Sequence, residues 1–297
     1  MTLRLVLRPL VRLGLLVAAC SVALCASTER GLPLIKAYSR LEHKAHSAFH
    51  APFISADGLY YAGNQLALME FDGRAWRILK IPLTYTRALA PDAAGNIYVG
   101  DEEQFGVVTR PGSGDPEFTS LLEHVPADAK PFGFVRDLVA WRGEIYAATD
   151  KNILRYHPVA KSVRVWPLSG DHRNRLRLVG DRLILHRRGL GLYELRDDEW
   201  QPLSNDPKFA AAPDGGFVVA GNAGAELLVG LSRQGLFRVG QTGALQPWPT
   251  DADKLLARTG LLAGTRLHDG SIAIGTESEG LVILSADGRL ERHLSRE

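Results

Sequence analysis

The chain has 297 residues, 45% of them hydrophobic and 23% charged, an ordinary globular balance able to bury a large core. A formal net charge of +2 argues against nucleic acid or an anionic membrane as the main partner. Thirty glycines against two methionines fit an architecture with many tight turns.

The first element differs from all that follow. Arg4, Arg8 and Arg12 precede the apolar run Leu13–Cys25, and small residues of "ASTERG" come after it. This is the pattern of a secretory signal over residues 1–26, cleaved near Cys25–Ser27. The run is short against the roughly 20 apolar residues of a membrane span. Uncleaved and extended by Leu5–Leu10, it would be the chain's one membrane contact. "VAAC", ending at Cys20, resembles a lipobox, although the apolar run continues past it. Both cysteines, Cys20 and Cys25, lie in this segment, so the exported body would have no disulfide, which says little about compartment; the periplasm is expected from the signal alone.

Next comes a strand-like piece, Leu34–Tyr38 ("LIKAY"), and then "HKAHSAFH" with His43, His46 and His50. Spacings of three and four suggest a metal site, but no Cys or acidic ligand completes it, so no metal and no cofactor are expected.

From about residue 51 the apolar runs are short, rich in Val, Ile, Leu and aromatics, and broken by Gly, Asp and Asn, which predicts an all-β chain. Six segments align: "LYYAGNQLALMEF" from Leu59, "IYVGDEEQFGVV" from Ile97, "IYAATDKNILRY" from Ile145, "LILHRRGLGLYEL" from Leu183, "LLVGLSRQGLFRV" from Leu227 and "IAIGTESEGLVIL" from Ile272. Their starts are spaced by about 38 to about 48 residues, the period of four-stranded propeller blades.

Calling the strands of each unit A to D, strand A precedes each segment in five units ("APFIS", "TRALAP", "VRDLVAW", "LRLVG", "GTRLH"). A two-residue hairpin signal then leads into strand B: Asp57-Gly58, Gly95-Asn96, Arg142-Gly143, Gly180-Asp181 and Asp269-Gly270. Strand D often carries a tryptophan (Trp76, Trp166, Trp200, Trp248) suited to packing between blades. Strand A of the fifth unit falls within residues 207–225 without a definite position. The basic run at 172–189 alternates Arg with Leu through "RLRLVGDRLIL", which predicts a strand with one solvated arginine face.

The expected fold is therefore an all-β propeller of four-stranded antiparallel blades, six recognisable, over residues 31–297. Leu34–Tyr38 is then a spare strand of an incomplete seventh blade, with a closed six-bladed ring as the rival.

The arrangement resembles the two-component regulator propellers, the sensor domains of bacterial hybrid histidine kinases and related transmembrane regulators. "GLPLIKAYSRLEHKAHS" resembles that family's opening segment. "GLYYAGNQLALMEFDGRAWRILKIP" and "TRALAPDAAGNIYVGDEEQFGVV" resemble its first two blades, and "LLVGLSRQGLFRV" and "DGSIAIGTESEGLVILSADGRL" its later ones. The resemblance covers residues 31–294 and implies a periplasmic ligand-sensing region. In that family further blades, a β-sandwich, a membrane helix and an output module follow. The sequence shows none of these, so the expectation is a truncated, sensing half.

In such blades the A–B and C–D turns share one face of the disc, and the B–C and D–A connections share the other. The Asp-Gly-type turns are scaffold. The B–C turns vary and are polar, and recognition concentrates in variable loops on a rigid frame. The candidate ligand residues are Asn64, Asp101, Glu102, Gln104, Asp150, Arg187, Arg188, Arg233 and Glu277, with Arg187 and Arg188 suited to an anionic group.

No G-x-S-x-G, H-E-x-x-H or P-loop motif is present, so no catalytic residue is named and a non-enzymatic sensor is expected. Its partner would be a small molecule or oligosaccharide. Two rivals are a lactonase- or lyase-like propeller enzyme, using Asn64, Asp101, Asp150 and Glu277 around an axial metal, and a protein-binding scaffold.

Overall fold

The computed structural model describes residues 36–65, 68–110, 115–170, 174–212, 216–221 and 226–295. Residues 1–26, expected from sequence to be a secretory signal, and residues Leu34 and Ile35 lie outside these. The chain divides into Met1–Ser39 and Arg40–Glu297. Of the first unit, residues 36–39 are described. They adopt no strand, and the Lys36 ammonium sits 4.5 Å from the centre of the Tyr38 ring.

The second unit is a β-propeller of six four-stranded antiparallel blades in a ring, each a meander of consecutive strands. Blade 1 holds β1 (Phe49–Ile54), β2 (Tyr60–Asn64), β3 (Leu68–Phe71) and β4 (Trp76–Leu79), and a short helix α1 (Arg40–His43) precedes it. Blade 2 holds β5 (Ala88–Pro91), β6 (Ile97–Asp101), β7 (Gln104–Thr109) and β8 (Glu117–Ser120). Blade 3 holds β9 (Val135–Trp141), β10 (Glu144–Thr149), β11 (Asn152–His157) and β12 (Ser162–Pro167). Blade 4 holds β13 (Asn174–Val179), β14 (Arg182–Arg187), β15 (Gly191–Arg196) and β16 (Glu199–Ser204). Blade 5 holds β17 (Gly216–Ala220), β18 (Leu227–Leu231), β19 (Gly235–Val239) and β20 (Leu245–Pro247). A one-turn helix α2 (Asp253–Leu256) leads to blade 6, with β21 (Leu261–Arg266), β22 (Ile272–Thr276), β23 (Leu281–Leu284) and β24 (Leu290–Leu294). Strand A of the fifth unit, which the sequence leaves open, is thus Gly216–Ala220.

The hairpin signals sit where the sequence predicts them. Gly58 and Gly270 both take φ of +84°, a conformation glycine adopts without the Cβ penalty, and the chain reverses there between strands A and B. Sheets covered on both faces need continuous apolar strands, whereas sheets covered on one face need alternating ones. Strands β6 and β18 are buried at every residue, and β10 and β14 at all but the first. Strand β22 alternates instead between buried and half-buried.

Inner strands pack in series: β1 on β5, β5 on β9, β9 on β13, β13 on β17 and β17 on β21. Five apolar clusters join consecutive blades from the first to the sixth. In the joint of blades 3 and 4, Trp166 and Trp200 meet edge to face with ring centres 6.2 Å apart, so two of the strand D tryptophans do pack between blades. In the joint of blades 5 and 6, the Phe217 ring fills space that side chains at Gly230 and Gly264 would occupy. Among the described residues no such cluster joins blade 6 to blade 1, and Leu262 on β21 is 66% exposed. Six sheets account for all the strands among the described residues, with none left for a seventh.

Candidate functional site

The B–C turns and the D–A connections share one face, and the candidate residues of the turns reach the backbone of those connections. The Asn64 side chain donates to the carbonyls of His46 (2.7 Å) and Ala48 (2.9 Å) and accepts from the His46 N–H (3.1 Å). Asp101 accepts from the N–H groups of Thr84 (3.2 Å) and Tyr85 (2.9 Å) through Oδ2, and from Glu102 (2.7 Å) through Oδ1. Asp150 accepts from the Phe134 N–H (3.1 Å) and takes Arg136 in a two-pronged pair, at 2.5 and 3.1 Å. Arg187 is buried and donates to the Ser169 carbonyl at 2.6 Å. In each case a polar residue at the end of strand B holds the lead-in to strand A of its own blade, satisfying backbone groups that would otherwise be stranded at the rim.

The remaining candidates are more open. Glu102 is exposed and forms a single backbone bridge to Phe134. Gln104 pairs with Asp101 in the β6–β7 register and is half-buried, as is Arg188. Arg233 and Glu277 are both exposed and lie 3.4 Å apart, joining the turns of blades 5 and 6. Asn64, Asp101, Asp150 and Glu277, the set a metal-dependent propeller enzyme would need, do not come together. Among the described residues no group of three or more His, Cys, Asp or Glu is placed to hold a metal. The three histidines also diverge. His43 packs on Phe49 and Trp76, the His46 ring accepts from the Ala48 N–H, and His50 reaches Tyr85.

Glu103 was not singled out from sequence. It adopts φ of +52°, and its carboxylate accepts from the N–H groups of Phe132 (3.0 Å) and Gly133 at the lead-in to blade 3. Two acidic neighbours at Asp101 and Glu102 hid it.

A second omission is larger. The inner strands begin on this same face, and four blades place a basic side chain near that beginning: His50 on β1, Arg87 just before β5, Arg136 on β9, and Arg175 and Arg177 on β13. A β-bulge between His50 and Phe53, with Ala51 at φ of +46°, turns β1 so that the His50 Nε2 lies 3.0 Å from the Tyr85 hydroxyl. The Arg87 guanidinium lies 5.5 Å from the Tyr85 ring and 5.6 Å from the Phe134 ring, and that of Arg136 lies 4.8 Å from Phe134. Arg175 donates to the Arg136 carbonyl at 2.7 Å, and Arg177 bonds Asp137 on the neighbouring inner strand.

These groups feel one another across the ring. Burial lowers the Arg175 pKa, Asp137 opposes this, and Arg177, Arg87 and Arg136 lower it further. Burial lowers the pKa of His50, and Arg87 and Arg175 add to the effect. Behind them His186, fully enclosed and facing Phe209, is pushed down to about 4 by burial and by Arg177 and Arg175. The arginines of "RLRL" therefore do not form the outward solvated face expected from their alternation. Arg175 and Arg177 are half-buried at the ring centre, whereas the intervening Leu176 is buried and Leu178 is exposed.

Clefts also lie on the opposite face, and there the lining arginines contact carboxylates. One of about 600 Å³ lies between blades 4 and 5 and is lined by Arg182, Arg196, Glu226 and Arg238. Another of about 560 Å³ lies between blades 3 and 4, lined by Arg155, Asp181, Glu194 and Asp198 among others. There Arg182 meets Glu194 at 2.8 Å, Arg142 meets Asp181 at 2.6 Å, and Arg155 meets Asp198.

No protein-family model matches the sequence, and no curated protein matches it significantly. Solved structures do. Virginiamycin B lyase from Staphylococcus aureus superposes with a TM-score of 0.64 at 12% identity, over 84% of this chain and 85% of that one. A streptogramin B lyase gives 0.62 at 16% identity, over 85% and 86%. The extracellular domain of a putative one-component system from B. thetaiotaomicron gives 0.59 at 12% identity, over 84% of this chain and 33% of that one. At these identities the likeness establishes the propeller fold alone. The neighbours thus include both enzymes and the extracellular domains of signalling proteins. Among the described residues no helix is long and apolar enough to cross a membrane.

Proposed function

We propose that this chain is the ligand-recognising propeller of an exported bacterial signalling receptor, non-enzymatic, with its ligand held at the axial mouth on the B–C face. The observation that carries the reading is the chain of contacts that joins His50, Tyr85, Arg87, Phe134, Arg136 and Arg175 at the start of the inner strands of four blades, with Arg177 bonded to Asp137 beside them. A rigid ring with convergent polar groups at one mouth is a site suited to binding. Support comes also from the basic and apolar leader, from the resemblance of residues 31–294 to sensor propellers, and from the structural likeness to an extracellular domain of a signalling protein.

A propeller lyase is the second reading, favoured by the two lyases that match over most of both chains. The test is to incubate the full chain with a panel of small molecules and oligosaccharides, rank binding by thermal shift, and recover each hit for mass spectrometry. Recognition without chemistry predicts hits returned unchanged. Catalytic conversion of any hit, lost on changing an axial residue, would replace the sensor reading with the enzyme.

A further inference from the structure

We propose that the cleft between blades 4 and 5, on the face opposite the B–C turns, takes a small monocarboxylate with an apolar body, its carboxylate held by Arg196 and Arg238. The inference goes beyond the axial reading and does not depend on it.

The other joints on this face show what the arginines are used for. There a carboxylate of one blade binds guanidiniums of its neighbour. Glu70 on β3 of blade 1 takes Arg110, which follows β7 of blade 2. Asp198, between β15 and β16 of blade 4, takes Arg155 and Arg164 of blade 3. The joint of blades 4 and 5 is built differently. Arg196 ends β15 of blade 4 and meets Glu194 of its own strand at 2.5 Å. Arg238, on β19 of blade 5, lies 3.5 Å from Glu226 of its own blade and 5.8 Å from the Trp248 ring. Among the described residues no carboxylate links Arg196 to Arg238. Both line the same cleft of about 600 Å³, and their side chains are 53% and 41% exposed. A guanidinium carries five N–H donors, so each keeps donors beyond the contact it makes within its blade.

The walls set the rest of the ligand. Leu203, Leu227 and Val239 line the cleft and belong to the apolar cluster that joins blades 4 and 5. The cleft's own carboxylates are engaged. Glu194 is buried and accepts from Arg182 through both oxygens and from Arg196, and Glu226 lies against Arg238. Two negative charges so close suit the cleft to one further anionic group rather than two. A carboxylate there accepts from planar forks of donors, as Glu70 and Asp198 do at the other joints, while an apolar body covers Leu203 and Val239. A cleft of this size, apolar with a few placed polar groups, is of the kind that holds small molecules.

The test is calorimetric titration of the full chain with hexanoate, acetate, hexanol and inorganic phosphate. Hexanoate should bind at least about ten-fold more tightly than acetate, because the longer body buries more apolar surface. It should exceed hexanol by about ten-fold as well, because the alcohol offers no charged acceptor. Phosphate, charged but without an apolar body, should also bind more weakly. Arg196→Gln and Arg238→Gln should each weaken hexanoate binding about five-fold or more, with thermal midpoints near that of the parent. Should Arg196→Gln fail to fold, because Arg196 shares Glu194 with Arg182, Arg238→Gln carries the test. Arg289→Gln, at an exposed arginine of the blade 6 C–D turn on the same face, should leave hexanoate affinity unchanged. No hexanoate binding, or binding that neither cleft variant weakens, would overturn the site, and so would an equal loss in Arg289→Gln. Hexanol as tight as hexanoate would overturn the carboxylate. Acetate or phosphate as tight as hexanoate would overturn the apolar body.

Discussion

Two arcs of the ring use the same inner-strand position in opposite ways. In blades 2 to 4 the start of the inner strand carries Arg87, Arg136 or Arg175, held by aromatic rings, a carboxylate or a carbonyl. In blades 5 and 6 the inner strands meet through Phe217, lodged where Gly230 and Gly264 leave room, within a cluster that includes Trp248, Ile272, Ile274 and Leu284. The first arc spends its inner surface on charge and the second on cohesion. The difference teaches that the repeat constrains how a blade is built while leaving the inner-strand start free for either use.

The sharpest break of the comparison is Phe217→Ala. It should cost about 3–5 kcal/mol, because it empties a close-packed joint that flanking glycines cannot refill. Urea unfolding measures it.

Next in size is a pH effect behind the charged arc. His186 has a folded pKa of about 4 against 6.5 for a free imidazole. Between those values the unfolded chain binds a proton that the folded chain refuses, so stability falls as pH drops from about 7 to about 4. At about 1.4 kcal/mol per pH unit the loss reaches roughly 3 kcal/mol. The facing groups are Arg175, Arg177 and the ring of Phe209. His186→Leu should flatten that part of the stability profile, and an unchanged slope would assign the acid sensitivity to other groups.

Asp101→Ala should cost about 1–3 kcal/mol by leaving the N–H groups of Thr84 and Tyr85 without their acceptor. Urea unfolding checks this, and an unchanged midpoint would show that the clamp adds no stability.

A smaller effect concerns His50, which faces Tyr85, His46, Arg87 and Arg175. Its pKa is lowered, so the folded chain refuses a proton that the unfolded chain binds, and stability should fall slightly further as pH drops below 6.5. His50→Gln should remove that increment in urea unfolding. The smallest effect is expected at Leu262→Ser, within about 0.5 kcal/mol, because that side chain is already 66% exposed. A large loss there would reveal a covered surface.

Much of the fold was legible because its signals are local. Asp57-Gly58 and Asp269-Gly270 announce hairpins through the backbone they permit, and "IYVGD" or "LLVGL" announce a doubly covered strand through continuous apolarity. The six recognisable blades and the positions of five inner strands followed, whereas the suspected seventh blade has no strand among the described residues. Strand A of blade 5 did not, since "GGFVVAGNAG" sits among glycines and alanines that blur both ends of the strand.

The site was legible only in part. Asn64, Asp101 and Asp150 drew notice as polar turn residues, and the structure ties all three to backbone or to Arg136. Arg175 and Arg177 were visible only as one face of an alternating strand. Alternation reveals that two residues share a face but carries no information about what that face meets.

The sequence by itself determined the repeat, the hairpin turns and most of the strands, because each depends on contacts within a few residues. Tertiary structure alone decided that the first strand of each blade lies innermost, and so that His50, Arg87, Arg136 and Arg175, drawn from positions up to 125 residues apart, share one small volume. Arranging the blades around an axis converts a periodic feature of the chain into a single point in space. Charge gathered at that point is a property of the ring, not of any segment.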